Sequence, residues 1–259
     1  MTKGIAMSYT VITGASAGIG SEFAIQLAQT GQNLVLVARR KDKLEALAET
    51  LQLEHGIDVK CFAIDLAEPA GSEILATEIS INNLAINGLI NNAGFGDRGN
   101  FADLPLQRQM QMIQLNVSTL VELTHRLVPN MREQDKPFII NVASTAAFQA
   151  GPNMAIYYAT KAFVLSFSEA IHEELRHEGI AVSALCPGPT LSEFAAEANI
   201  ADSNLFKAGA MTSAEVAKQA LANRHSAIVI TGIKNQVGVL LGKVSPRFMT
   251  RKIAGWLQA

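Results

Sequence analysis

The chain has little cysteine, little tryptophan and little charge. Cys61 and Cys186 are its only cysteines in 259 residues. Two thiols make neither a disulfide framework nor a zinc site, so both are expected to be free and buried in a reducing compartment. Charged residues make up 17%, and 21 Lys and Arg face 23 Asp and Glu, a formal charge of −2. Low charge with 49% apolar residues excludes a disordered chain. The near-neutral balance argues against a polyanion binder, and no nucleic-acid partner is expected. There is no uninterrupted apolar run of ~18 residues, so no ordinary transmembrane helix is expected. The opening MTKGIAMSYTVITGAS lacks an apolar stretch followed by a cleavage site, which points to a cytoplasmic protein. The histidines lack ligand spacing: His172-Glu173-Glu174-Leu175 is not HExxH, and His172 and His177 fall on different helical faces, so no metal is expected. Tandem repeats, low-complexity tracts and Pro/Ser-rich linkers are missing too. Residues 1–259 therefore read as one domain.

What the sequence does have is short apolar runs alternating with longer amphipathic segments. Strands are expected at 9–13, 33–38, 59–64, 88–91, 138–142, 181–185 and 227–230. Most are rich in Val, Ile and Leu without polar alternation, as suits strands covered on both faces. Helices are expected at 19–30, 41–54, 72–81, 106–131, 155–177 and 214–224. In the second of these, Leu44, Leu47, Ala48 and Leu51 form a one-sided stripe. Thr212 and Glu215 have the spacing of a capping box. The alternation implies right-handed βαβ units in an α/β fold. This is a doubly wound parallel sheet of about seven strands with helices on both faces. Such sheets take ligands at the carboxyl ends of the strands, near the switch point.

The segments that follow the strands carry the chemistry. After the first comes Thr13-Gly14-Ala15-Ser16-Ala17-Gly18-Ile19-Gly20, spaced G-x-x-x-G-x-G. Its glycines allow a tight turn and close approach. The helix starting near Ile19 offers unpaired N–H groups and a positive dipole end to a pyrophosphate. After the second strand come Arg39 and Arg40, with Ala38 where an acid would hold a ribose 2′-hydroxyl. Arginine suits a 2′-phosphate instead, so NADP(H) is expected in preference to NAD(H). After the third come Asp65 and Leu66. That carboxylate could accept from an adenine amino group or cap the next helix, and local sequence leaves both open. After the fourth come Asn91-Asn92-Ala93-Gly94, small enough for a cofactor to pass, or simply a turn.

Ser144 lies just beyond the fifth strand. Tyr157 and Lys161 are four apart near the start of a helix and share a face. A phenol with pKa near 10 is a poor acid or base at pH 7, and a nearby ammonium lowers that value. Ser144 could hydrogen-bond the oxygen being transformed. Tyr158, with no lysine four residues on, reads as a packing residue.

TGASAGIG, NNAG, Asn116, Ser144 and Tyr157-Tyr158-Ala159-Thr160-Lys161 together resemble the short-chain dehydrogenase/reductase superfamily, in order and in spacing. The resemblance extends over about residues 8–232. It implies a Rossmann-type NAD(P)-binding domain. It implies that Tyr157 is the general acid in reduction and the base in oxidation. Lys161 would lower its pKa and bind the nicotinamide ribose, and Ser144 would orient the substrate oxygen. Asn116 would position a water in a relay reaching Lys161. The glycine loop (Gly14, Ser16, Gly18, Ile19, Gly20) would hold the pyrophosphate, Arg39 and Arg40 the 2′-phosphate, and Asp65 the adenine. The segment Cys186–Ser192 resembles the family's stretch beside the nicotinamide carboxamide, with Pro187, Gly188, Thr190 and Ser192 in contact. The family also implies a homodimer or homotetramer built on the helices around 106–131 and 155–177.

Residues of about 190–211 form the expected substrate loop, with Phe194, Leu205 and Phe206. Phe148 and Met154 could line the same pocket, or all of these could only pack the loop. Lining would imply a partly apolar small-molecule carbonyl or alcohol, such as a 3-oxoacyl, steroid-like or small ketone. The expected activity is therefore an NADP(H)-dependent carbonyl/alcohol oxidoreductase. The rival is a non-catalytic NADPH-binding sensor, which would have no need of a tuned phenol. The extension of about 233–259 mixes apolar and basic residues. Docking on the domain or a subunit contact is favoured for it over a membrane contact.

Overall fold

The computed structural model describes residues 7–200, 202–204 and 209–257. β1 (Ser8–Thr13) is followed by α1 (Gly18–Ala28), β2 (Asn33–Ala38) and α2 (Lys41–His55). The alternation continues through β3 (Val59–Ala63), α3 (Gly71–Ile81) and β4 (Ala85–Asn91). Then come α4 (Leu106–Ile113), a π-helical segment (Gln114–Thr119) and α5 (Leu120–Met131). β5 (Phe138–Val142), a 3-10 turn (Thr145–Phe148) and α6 (Ala155–Arg176) follow. β6 (Ala181–Cys186) leads to β7 (Thr190–Leu191) and α7 (Glu193–Glu197). Last are β8 (Met211–Thr212), α8 (Ser213–Ala222), β9 (Ile228–Ile230), α9 (Ile233–Val244) and α10 (Arg247–Leu257).

Seven strands form one parallel sheet in the order β3-β2-β1-β4-β5-β6-β9, as expected of a doubly wound fold. Strand residues alternate between two buried layers. Val11, Val35, Leu89 and Ile139 face one, while Ile12, Leu36, Ile90 and Ile140 face the other. Leu75 of α3, Leu123 of α5 and Ile171 of α6 cover the first layer. Phe23 of α1, Leu44 of α2 and Val216 of α8 cover the second. Burial on both faces explains why the strands read as unbroken apolar runs. Each fully buried Leu or Ile contributes about 1.5–3 kcal/mol.

Some boundaries differ from those expected. β4 begins three residues early because polar Asn87 hides it; inside the fold the Asn87 side chain pairs with Gln32 in both directions at 3.2 Å. The helix expected over 106–131 is interrupted by the π segment, which contains Asn116. Such single-turn bulges recur at functional sites. The Thr212–Glu215 capping box is present: Thr212 N–H donates to the Glu215 carboxylate at 3.0 Å, and Glu215 N–H donates to Thr212 Oγ1 at 3.2 Å. The segment expected as the substrate loop is clasped near its ends, where β7 pairs parallel with β8.

α1 starts pressed against the turn before it. A Cβ on Gly20 would lie 2.2 Å from the Gly14 carbonyl oxygen and 2.6 Å from Asn92 Nδ2. Gly20→Ala is expected to cost about 1–3 kcal/mol, as overpacking does. The measurement is a lower urea midpoint at unchanged slope; an unchanged midpoint would show that the turn opens freely.

Candidate active site

The strands end on a cleft of about 430 Å³. Gly14, Ser16, Gly18 and Ile19 line its floor. Gly14 and Gly18 have φ of +65° and +60°, a region open to glycine at little cost. The N-cap of α1 is Ala17, which has no oxygen to cap with, so the first amides of the helix face the cleft without a side-chain partner. That arrangement suits an anion. Gly20 lies outside the lining and serves the close packing described above.

The loop after β4 is stapled to this turn. Asn92 N–H and Ala93 N–H both donate to Thr13 Oγ1 at 2.9 Å. Asn92 Nδ2 donates to the Thr13 carbonyl at 2.9 Å and to the Gly14 carbonyl at 3.2 Å. Asn92, Ala93 and Gly94 line the cleft, but the Asn92 amide is engaged in holding the glycine turn. Asp65 and Leu66 line it as well. Asp65 does not cap α3, whose N-cap is Ala70; its carboxylate accepts from Ala67 N–H at 2.9 Å in an Asx turn.

Arg39 and Arg40 stand at the mouth, and each meets an acid from α7. Arg40 Nη1 lies 2.8 Å from Glu193, and its Nη2 donates to Ser16 Oγ at 2.9 Å. Lys43 donates to the same Glu193 at 2.9 Å. Arg39 is freer: its guanidinium is 3.9 Å from Glu197 and the side chain is 66% exposed. Glu193 and Glu197 were not singled out from sequence. Their i, i+4 spacing was visible, but only the fold reveals that they oppose the basic run after β2.

Tyr157, Ser144 and Lys161 meet on the far wall of the cleft. Ser144 caps the 3-10 turn, accepting from Ala146 N–H at 3.1 Å, so its own proton is free to donate. Lys161 Nζ donates to the Val142 carbonyl at 2.7 Å and lies 5.8 Å from the centre of the Tyr157 ring. Burial pushes the Tyr157 phenol up to about 12, opposed by its hydrogen bond with Ser144. Burial also pushes the Lys161 ammonium down to about 8. Desolvation therefore dominates the phenol in this structure, in the direction opposite to the lowering expected of a nearby ammonium.

Asn116 is buried outside the cleft lining. Its Nδ2 donates to the Phe95 carbonyl at 3.0 Å and to Thr160 Oγ1 at 3.2 Å, and its Oδ1 accepts from Phe95 N–H at 3.2 Å. It pins the loop after β4 to α6. Behind Gly94, a Cβ would lie 2.9 Å from Asn116 Oδ1 and 3.6 Å from Lys161 Nζ, so glycine keeps that approach to the ammonium open.

Pro187, Gly188, Thr190 and Ser192 line the cleft just beyond β6. Met154 and Phe194 line its inner end, with the Phe194 ring 5.6 Å from that of Tyr157. Tyr158 is buried as a packing residue and also reaches the cleft. Phe148 is a correction: it does not line the cleft but packs under Lys243, whose Nζ lies 5.0 Å from its ring centre. The 3-10 turn after Ser144 rotates it away. Leu205 and Phe206 lie outside the described residues. Phe95, Ile200 and Leu257 also line the cleft, and sequence offered no periodic signal for them. Among the described residues no three His, Cys, Asp or Glu side chains converge to hold a metal.

Residues 8–203 match the family model described as short chain dehydrogenase. The chain belongs to the short-chain dehydrogenase family. It is 32% identical over 180 residues to the very-long-chain 3-oxoacyl-CoA reductase of Laccaria bicolor, covering 69% of this chain and 53% of that protein. To the protein of that name from Mus musculus it is 30% identical over 251 residues, covering 95% of this chain and 78% of the other. It thus spans about half the length of the fungal relatives it matches. A short-chain dehydrogenase from Sphingobium yanoikuyae, solved in complex with NADPH, superposes with a TM-score of 0.81 at 33% identity, over 91% of this chain and 92% of that one. A 7beta-hydroxysteroid dehydrogenase superposes with a TM-score of 0.86 at 26% identity, over 95% and 96%.

In this short-chain dehydrogenase, burial pushes the Lys161 ammonium from the ordinary 10.5 down to about 8. Between those values the unfolded chain binds more protons, so this group makes stability rise with pH there. Relative to Lys161→Met, the wild type is expected to gain up to about 3 kcal/mol from pH 8 to pH 10.5. Paired urea titrations check it, and parallel pH profiles would show that the ammonium is not desolvated.

Proposed function

We propose that the chain is an NADP(H)-dependent oxidoreductase acting on a carbonyl/secondary-alcohol pair, with a bulky, partly apolar ketone as substrate. The carrying observation is the buried Tyr157 phenol, with the Ser144 hydroxyl and the Lys161 ammonium beside it on the wall of a cleft floored by glycines.

The residues fit a nicotinamide dinucleotide. Uncapped amides of Gly18 and Ile19 would hold the pyrophosphate, with Gly14 allowing close passage. Arg39 would hold a 2′-phosphate, since its donors are largely uncommitted, with Arg40 beside it. Asp65 and Leu66 would flank the adenine. Ala93 and Gly94 would pass the nicotinamide ribose to Lys161, and Pro187, Gly188, Thr190 and Ser192 would border the carboxamide. When bound, this group supplies or accepts the hydride.

The chain's own residues manage the oxygen. Ser144 donates to the carbonyl oxygen and orients it. Tyr157 stays protonated through the neutral range and gives its proton to that oxygen as reduction proceeds. Lys161 then stabilises the phenolate. Asn116 holds the Phe95 loop and α6 in register, and so positions Lys161. Met154, Phe194, Phe95, Ile200 and Leu257 give the inner end an apolar lining. The relatives named very-long-chain 3-oxoacyl-CoA reductase and 7beta-hydroxysteroid dehydrogenase support a 3-oxoacyl or steroid-like ketone.

NADPH oxidation should be followed across 3-oxoacyl thioesters, oxosteroids and small ketones. Tyr157→Phe is expected to lose about 10²–10⁴-fold in turnover while NADPH affinity stays within about twofold. Full activity in that variant sinks the reading. Arg39→Ala is expected to weaken NADPH about 10–100-fold and leave NADH unchanged, the loss of a charge-assisted contact. Equal weakening of both cofactors would show that Arg39 does not face the 2′ position.

A further inference from the structure

From Thr231 to Leu257 the chain carries five cations and no acid: Lys234, Lys243, Arg247, Arg251 and Lys252. The whole chain is −2, so removing these five leaves −7 on the rest. The same stretch holds nine of the eighteen large apolar side chains exposed among the described residues. On α9 they are Ile233, Val237, Leu240, Leu241 and Val244, at 49–78% exposure, spaced as one helical stripe. On α10 they are Met249, Ile253 and Trp256, again one stripe, with Phe248 adjoining.

Both helices are nonetheless docked. Val239 and Ala254 are buried, Leu257 reaches the cleft, and Asn204 Nδ2 donates to the Trp256 carbonyl at 3.2 Å. The inward contacts use Val239, Ala254 and Leu257, and nine large apolar side chains are left outside. At twelve and eleven residues the helices are too short to cross a bilayer, and no described helix is long and apolar enough to do so. Apolar stripes on helices whose only charged residues are Lys and Arg, with a tryptophan among them, match a helix lying in the membrane interface. A second copy would be a poor occupant, because a two-fold contact would set five cations against five with no acid between.

We propose that α9 and α10 form a docking surface for anionic phospholipid bilayers. The surface adjoins the cleft wall at Leu257, so an apolar ketone could enter from the lipid side. That corollary rests on the function proposed above, whereas the docking does not.

Trp256 is the only tryptophan and is 65% exposed, which makes it a built-in reporter. The full-length chain should be mixed with vesicles of phosphatidylcholine alone and with phosphatidylglycerol added. The expected result is a blue shift of Trp256 emission and co-sedimentation with the anionic vesicles only, reversed by salt. Arg251→Gln with Lys252→Gln, both exposed, is expected to weaken partitioning about thirtyfold. Leu240→Ser with Leu241→Ser is expected to abolish it at unchanged molecular mass. No partitioning, or equal partitioning into neutral vesicles, overturns the proposal. So does a dimer in sedimentation velocity that the leucine substitutions dissolve, which would assign the face to a second copy. The assay uses neither cofactor nor ketone, so its failure is distinct from a failure of the reaction.

Discussion

The Thr13 hydroxyl joins two strands whose connections leave the sheet in opposite directions. It accepts from Asn92 and Ala93, beyond β4, and donates to the Ile90 carbonyl. Beyond β1 the chain turns into α1 on one face; beyond β4 it runs toward α5 on the other. Two diverging connections open a crevice, and without a staple the crevice would have loose lips. Asn92 tightens it by holding the carbonyls of the glycine turn, which fixes Gly14 in its positive-φ conformation and aims the start of α1 into the cleft. Everything downstream inherits this geometry.

Burial dominates the electrostatics of the inner wall, while solvent governs the mouth. Inside, Tyr157 and Lys161 are both desolvated and both pushed toward neutrality. A charged form arising there has few alternatives to the hydrogen bonds already aimed at it, from Ser144 to the phenol and from Lys161 to its surroundings. At the mouth, exposed ion pairs contribute little each. Glu193 bridges Arg40 and Lys43, and Glu197 approaches Arg39, so α7 rests on the basic run after β2 by weak, solvent-screened contacts.

Periodicity carried most of the fold into the sequence. Two-sided burial made the strands visible as apolar runs, and α2 showed its stripe openly. What stayed hidden had specific causes. Asn87 masked the start of β4 because its partner, Gln32, lies across the sheet. The π segment follows a helical hydrophobic pattern, so nothing local distinguishes the extra residue at Asn116. The β7–β8 clasp is two residues on each side, too short for any pattern.

The site was legible where identity alone carries chemistry and illegible where direction does. Tyr157, Lys161 and Ser144 were found by type and spacing. The burial that pushes the phenol up was not, because sequence shows residue types but not how far they are desolvated. Phe148 failed for the same reason: the 3-10 turn decides which way it points. The final helices make the point most sharply. Their mixture of apolar and basic residues reads first as docking on the domain or a subunit contact. The structure shows both helices docked, yet most of their apolar surface turned away. Ala254, Val239 and Leu257 are inward, while Trp256, Ile253, Leu240 and Leu241 are outward. Were packing on the domain the whole purpose of these helices, more of the large side chains would face it, since burial of apolar area is what such packing gains.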